Sequence, residues 1–187
     1  VAGQVLGWYT AAQGHDYYGA DLVGTNNDKY PGTFVREAVA AVEAANPSFD
    51  WAPYDTDGNC YVDVVTVVHQ GTGEEAGGTA TDIWSHSWNL NDAYSAGRSD
   101  GGEYITHTSC PGHAGEFIKV NNYTLEPELL WSNHMSTMGV YAHEYGHALG
   151  LTDLYDYDNS SEGVGNWSLM ASGSWTGVSY AGDRPAH

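Results

Sequence analysis

Five residues restrict this chain more than any others: His143-Glu144-Tyr145-Gly146-His147. Read as α-helix, the spacing puts two imidazoles on one face, about 6 Å apart along the axis, close enough to share one ion. Glu144 then stands beside that ion as a candidate general base, free to take a proton from a water held there. A catalytic zinc takes three protein ligands and keeps one position open, so the motif calls for a third donor. Asp153 can supply it only if the helix ends first. Continued for six more residues, a helix would rotate that side chain by about 240° net and carry it about 9 Å along the axis, past the ion. Gly150 removes the obstacle, because glycine adopts the left-handed conformation that ends helices and turns the chain back. The expected zinc ligands are therefore His143, His147 and Asp153, with Asp156 and Asp158 as weaker third donors. A ligand at Glu162 on a second helix is disfavoured by Gly163 and Gly165.

The pattern predicts the motif helix over Thr137 to Leu149, with Met138, Ala142, Tyr145 and Leu149 on one side. An earlier packing helix is expected from Thr33 to Ala45, with Phe34, Val35, Ala38, Val39 and Val42 on one face. Thr33 is its N-cap candidate, and Asn46-Pro47 stops it. Tyr61 to His69 is a β-branched run with valines facing both ways, which predicts a central strand. Gly71 to Thr81 reads as a glycine-rich loop and Ile83 to Trp88 as a short edge strand. Val1 to Thr25 reads as irregular with short extended pieces, and the chain after Asp153 as loops. Strands and helices in this order indicate an α+β class.

A length of 187 residues fits a single domain, 1–187, able to bury a core of its own. No stretch approaches the roughly 18 apolar residues of a membrane span. A formal charge of −19 repels a phosphate backbone and argues against nucleic acid, while it suits divalent cations or serves solubility. Cys60 and Cys110 are the only cysteines. Paired in an oxidising compartment they would close a loop worth about 4 kcal/mol, although two separate buried thiols remain the alternative.

Asp55, Asp57, Asn59 and Asp63 fall at positions 1, 3, 5 and 9 of an oxygen-ligand pattern, with the Tyr61 carbonyl at 7, which makes them calcium candidates. Cys60 stands where such loops usually have glycine and Thr66 where they have glutamate; the competing reading is an Asx-rich turn. Glu74 and Glu75 could contribute to a second cation site, but charges in a glycine-rich loop are usually solvated, and His86 and His107 read as structural. Asn122, Asn159 and Asn166 begin glycosylation-type triplets that carry little weight. Met170, in Ser168-Leu169-Met170-Ala171-Ser172-Gly173, reads alone as packing, but after this motif it resembles the methionine that metzincins place on a tight turn beneath the metal.

Together HEYGHALGLTDLYD, GVGNWSLMASGSW, DTDGNCYVD, HQGTGEEAGG and DIWSHSW resemble the immune inhibitor A family of secreted bacterial metalloproteases, over about Asp55 to Trp175. The resemblance implies an extracellular, calcium-stabilised zinc endopeptidase acting on proteins or peptides. It also implies a metzincin-like zincin fold, with a twisted mixed sheet, a packing helix, an active-site helix and a loop-rich C-terminal part. The expected division is 1–135 for the sheet-bearing part and 136–187 for the active-site helix, third ligand and Met170 turn. The opening lacks the leading strand of such domains, and Arg184-Pro185-Ala186-His187 falls where members continue, so an excised core is expected. Tyr155, Tyr157 and Tyr180 are candidates to stabilise an oxyanion. Two other readings stay open: a non-catalytic secreted module with a closed four-ligand zinc site, and a metal-dependent amidase or deacetylase. Glu144 favours the peptidase, since a structural site gains nothing from an unliganded carboxylate there.

Overall fold

A computed structural model of the chain describes residues 3–131, 134–158 and 160–176. Tyr180, Asn159 and the terminal Arg184-Pro185-Ala186-His187 lie outside the described residues. The architecture is α+β. Its order is α1 (His15–Gly19), α2 (Pro31–Ala45), β1 (Val65–Thr72), β2 (His86–Asn89), α3 (Leu90–Ser95), β3 (Tyr104–Ser109), β4 (Phe117–Val120), β5 (Asn122–Leu130), β6 (His134–Met135) and α4 (Met138–Ala148).

The packing helix α2 starts two residues before the expected Thr33, because Pro31 fits the first turn, where a missing N–H costs nothing. Thr33 is buried inside that turn and its hydroxyl accepts from the Asp100 N–H at 2.9 Å. Asn46 ends the helix as expected. Val35 and Val39 are fully buried, with Phe34, Ala38 and Val42 packed beside them, so the predicted apolar face is the observed one.

The main sheet is mixed, in the order β1-β5-β2, with β1 parallel and β2 antiparallel to β5; β6 pairs with the end of β5. The valine run is therefore not the central strand: β1 begins only at Val65 and, among the described residues, has β5 as its one partner. The centre belongs to β5, whose Tyr123 to Pro127 are all buried. Pro127 hides this strand from sequence reading, since proline normally marks an edge. It is tolerated because β2 pairs only as far as Leu125 and β6 only from Leu129, which leaves the missing N–H without a required partner. The edge placement of β2 agrees with expectation, although regular pairing starts at His86 rather than Ile83. The anticipated loop after His69 is shorter, with Gly71 and Thr72 in β1 and a 3-10 turn over Glu74–Ala76.

The hairpin β3-β4 forms a second small sheet, and Glu43 of α2 holds it by accepting from the His107 N–H and the Tyr104 hydroxyl. Cys60 and Cys110 are joined in a disulfide, which ties the loop before β1 to the hairpin.

Candidate functional site

Helix α4 starts after Thr137 and packs on β5, on β2 and on a 3-10 turn at Ser172–Trp175. Its buried residues are Gly139, Val140, Glu144 and Gly146. The expected packing side is incorrect at both ends, since Met138 and Leu149 are 68% and 67% exposed. Two glycines let the helix sit close to its support, and a carboxylate points inward beside Val140. Contact with Met170 requires Gly146: a Cβ there would lie 2.6 Å from the Met170 sulfur. Met170, itself buried, is thus pressed against the turn of helix between the two histidines.

The helix ends in a Schellman cap. The Leu151 N–H donates to the Gly146 carbonyl at 3.0 Å and the Gly150 N–H to the His147 carbonyl at 2.8 Å, with Gly150 at φ 86°. This reversal brings Asp153 back to the helix face carrying the histidines. One atom, Asp153 Oδ1, lies 3.2 Å from His143 Nε2 and 3.2 Å from His147 Nε2, while the two Nε2 atoms are themselves 3.2 Å apart. Donors about 2.0–2.1 Å from one tetrahedral ion sit about 3.3–3.4 Å from each other, so this triangle has the size of a zinc ligand set.

Hydrogen bonding on the far side of each ring fixes the tautomer. His143 Nδ1 donates to the Leu169 carbonyl and His147 Nδ1 to the Leu151 carbonyl, each at 2.9 Å. Neutral rings held this way present Nε2 lone pairs inward, as metal-bound histidines do. Asp153 Oδ1 is buried and has no hydrogen-bond partner. Three donors that converge like this fit a metal ion.

Glu144 is 6% exposed, and a carboxylate oxygen lies within 4.8 Å of a ring nitrogen of each histidine. Burial, then the charges of Asp153 and Glu75, push its carboxyl up to about 8, while the Ser87 N–H on β2 opposes the shift. A cation beside it favours the charged form again.

Other expected donors are elsewhere. Asp156 accepts from the Ser160 and Ser161 hydroxyls and the Asp158 N–H, a self-contained turn that holds its carboxyl well below the usual range. Glu162 lies in irregular chain before a three-residue 3-10 turn, without the helix a ligand there would need. Tyr155 and Tyr157 both donate to Asp153 Oδ2, at 2.9 and 3.2 Å. Away from the site, His107 contacts Glu43 and the Phe49 carbonyl, and His86 contacts the Trp84 carbonyl and the Tyr123 hydroxyl, so both are structural. The Asp55, Asp57 and Asp63 carboxylates have oxygens within 4.8 Å of one another, and Cys60 between them has φ 68°.

Two carboxylates escaped the sequence reading. Glu75 is not a solvated loop charge: it accepts from the Ser85 N–H and hydroxyl, and its charge reaches Glu144. Glu126, on β5, is fully buried with both oxygens lacking a well-directed partner. Burial above all, with the Glu144 and Glu75 charges adding, pushes its carboxyl up to about 9. A carboxyl that binds its proton more tightly when folded contributes fully below the unfolded value near 4.5 and loses that contribution as pH rises towards 9. Replacing Glu126 by Gln should therefore raise unfolding stability at pH 7, on the order of 2 kcal/mol, and leave it unchanged below pH about 4. Urea titrations at the two pH values check this; equal stabilities at pH 7 would show that Glu126 carries no buried-charge cost.

A large apolar cavity of about 610 Å³ lies apart from this centre, between residues 3–11, the edge of β1, α2 and Tyr141 and Tyr145. None of His143, Glu144, His147 or Asp153 lines it, so the centre is assigned on donor chemistry rather than concavity.

The immune inhibitor A peptidase M6 catalytic-domain family matches residues 1–187. A pre-pro-metalloprotease, PrtV, of Vibrio cholerae serotype O1 is 38% identical over 199 residues, covering 95% of this chain and 20% of that protein. Immune inhibitor A of Bacillus thuringiensis subsp. alesti is 34% identical over 205 residues, covering 99% of this chain and 28% of that protein. The chain thus spans between a fifth and a third of the length of these relatives. With the family matched from end to end, this chain belongs to the immune inhibitor A peptidases of family M6.

Proposed function

We propose that this chain is the catalytic part of a secreted zinc endopeptidase of metzincin type, with His143, His147 and Asp153 holding the metal and Glu144 as general base. The observation that carries the reading is the convergence of two Nε2 atoms and one buried, unpartnered carboxylate oxygen at 3.2 Å. Zinc bound there supplies a Lewis acid that polarises a scissile carbonyl and lowers the pKa of a water. Glu144 takes the proton of the attacking water and returns it to the leaving amine nitrogen, and the Ser87 N–H fixes its orientation. Met170 supports the ligand-bearing turn from below through Gly146. Residues 1–135 then serve as scaffold and 136–187 as the catalytic part of one domain. The Cys60–Cys110 disulfide supports secretion, since such bonds persist in oxidising compartments.

The test is digestion of unfolded casein by the chain with its native flanking sequence included. Cleavage should stop with a zinc-selective chelator and return with zinc. A folded, zinc-loaded protein that leaves casein intact would move the reading to a non-catalytic module or to an amidase of small substrates.

The same reading includes calcium at Asp55, Asp57, Asn59, Asp63 and the Tyr61 carbonyl. Its support is the close set of three carboxylates and the left-handed Cys60, which has the backbone conformation that glycine supplies in such loops. Calcium at about 100 times its dissociation constant should raise the unfolding temperature of the zinc-loaded protein by roughly 5–10 °C. No shift at millimolar calcium would leave only an Asx-rich turn.

A further inference from the structure

Asp153 has two oxygens in different situations. Oδ1 faces both imidazoles, whereas Oδ2 accepts two phenol hydroxyls, from Tyr155 at 2.9 Å and from Tyr157 at 3.2 Å. Positions 153, 155 and 157 alternate along the chain, and Leu154 between them is anchored by its N–H to the Met170 carbonyl at 2.7 Å. The two tyrosine rings pack edge to face, with centroids 5.2 Å apart, so each holds the other over the carboxylate.

Two donors on one oxygen occupy its lone pairs and draw negative charge away from the other. A carboxylate so held is restricted to one-oxygen ligation and is a less anionic ligand than a free aspartate. That matters because an anionic ligand makes a bound metal less electrophilic than three neutral imidazoles would. Tyr155 and Tyr157 offset part of that loss, and their hydroxyls are engaged with Asp153.

We propose that Tyr155 and Tyr157 form a two-phenol clamp that positions Asp153 as a one-oxygen metal ligand and sets the metal affinity and electrophilicity of the site. The clamp rests on the zinc-site reading given above. It assigns both tyrosines a positioning role in place of the oxyanion-stabilising one suggested by sequence.

The experiment compares wild type, Tyr155→Phe, Tyr157→Phe and the double variant, each with native flanks. Zinc affinity is read by competition with a chromophoric chelator, the ligand field from the visible absorption of the cobalt-substituted protein, and kcat and KM on a peptide. The double variant should bind zinc about 10–100-fold more weakly, with each single variant between it and wild type. The cobalt bands should shift in the same order, with kcat falling and KM little changed, while the metal-free forms unfold at the wild-type temperature. A drop in kcat with zinc affinity and cobalt bands unchanged would overturn the clamp in favour of an oxyanion role. Identical affinity, spectrum and kcat in all four proteins would also overturn it. If the double variant does not fold, the two single variants decide by the same readouts. Wild type that binds neither zinc nor cobalt would instead overturn the zinc-site reading, and the clamp with it.

Discussion

Replacing Glu144 by Gln should lower kcat by about 10²–10⁴-fold while leaving the metal bound, because it removes a proton acceptor and nothing else of similar size. The substitution keeps the length of the side chain and can keep the contact with the Ser87 N–H, so the amide occupies the same buried space. Stability should not suffer. At neutral pH a carboxylate buried beside Asp153 and Glu75 is costly, and the neutral amide is spared that cost. The expected pattern is therefore unusual for a buried residue: activity lost, metal content unchanged, unfolding temperature equal to wild type or higher. Metal analysis, thermal unfolding and peptide turnover on one preparation distinguish it from a folding defect. Turnover within ten-fold of wild type in the zinc-loaded variant would remove Glu144 from the role of base.

This centre was legible because its determinants are local. Helical periodicity pairs His143 with His147, and a left-handed Gly150 is required to bring Asp153 back; both follow from backbone geometry over eleven residues. The belt of partners around it was not legible. The Leu169 carbonyl that orients His143 is 26 residues away, and Ser87 reaches Glu144 only because β2 lies at the sheet edge beside α4. The sheet itself was misread for a similar reason. Five valines around Val65 have the stronger strand composition, yet Tyr123 to Pro127 hold the centre, with a glutamate and a proline among them. Composition reports what a strand tolerates, whereas position in a sheet depends on which neighbours arrive on each side. Glu75 illustrates the same limit: it reads as a solvated loop charge until the Ser85 N–H and hydroxyl are placed beside it.

Removing the Cys60–Cys110 disulfide should be the most destabilising covalent change available to the fold. The bond spans 50 residues, and a loop of that length restricts the unfolded chain by about 4 kcal/mol on the entropic model. For a chain of this size the loss corresponds to a fall in unfolding temperature of roughly 8–16 °C. A separate local cost is present in the wild type as well, because Cys60 is the only described non-glycine residue at positive φ, 68°, a conformation that costs a residue with a Cβ about 1 kcal/mol. The Lys119 N–H donates to the Cys60 carbonyl at 2.9 Å and the Val62 N–H to the Lys119 carbonyl at 2.9 Å, so relaxing Cys60 also loosens the segment before β1 against β4. The two contributions separate by choice of replacement. Cys60→Ala with Cys110→Ala keeps that cost and should show the loss of the cross-link, whereas Cys60→Gly with Cys110→Ala should recover about 1 kcal/mol, since glycine adopts the left-handed conformation without strain. Urea unfolding of the two double variants and of wild type, with and without reductant, measures each term. Equal stability of the alanine and glycine forms would show that the backbone at Cys60 relaxes freely. A loss below about 1 kcal/mol in both would show that the hydrophobic core between α2 and β4, rather than the cross-link, already holds the hairpin in place.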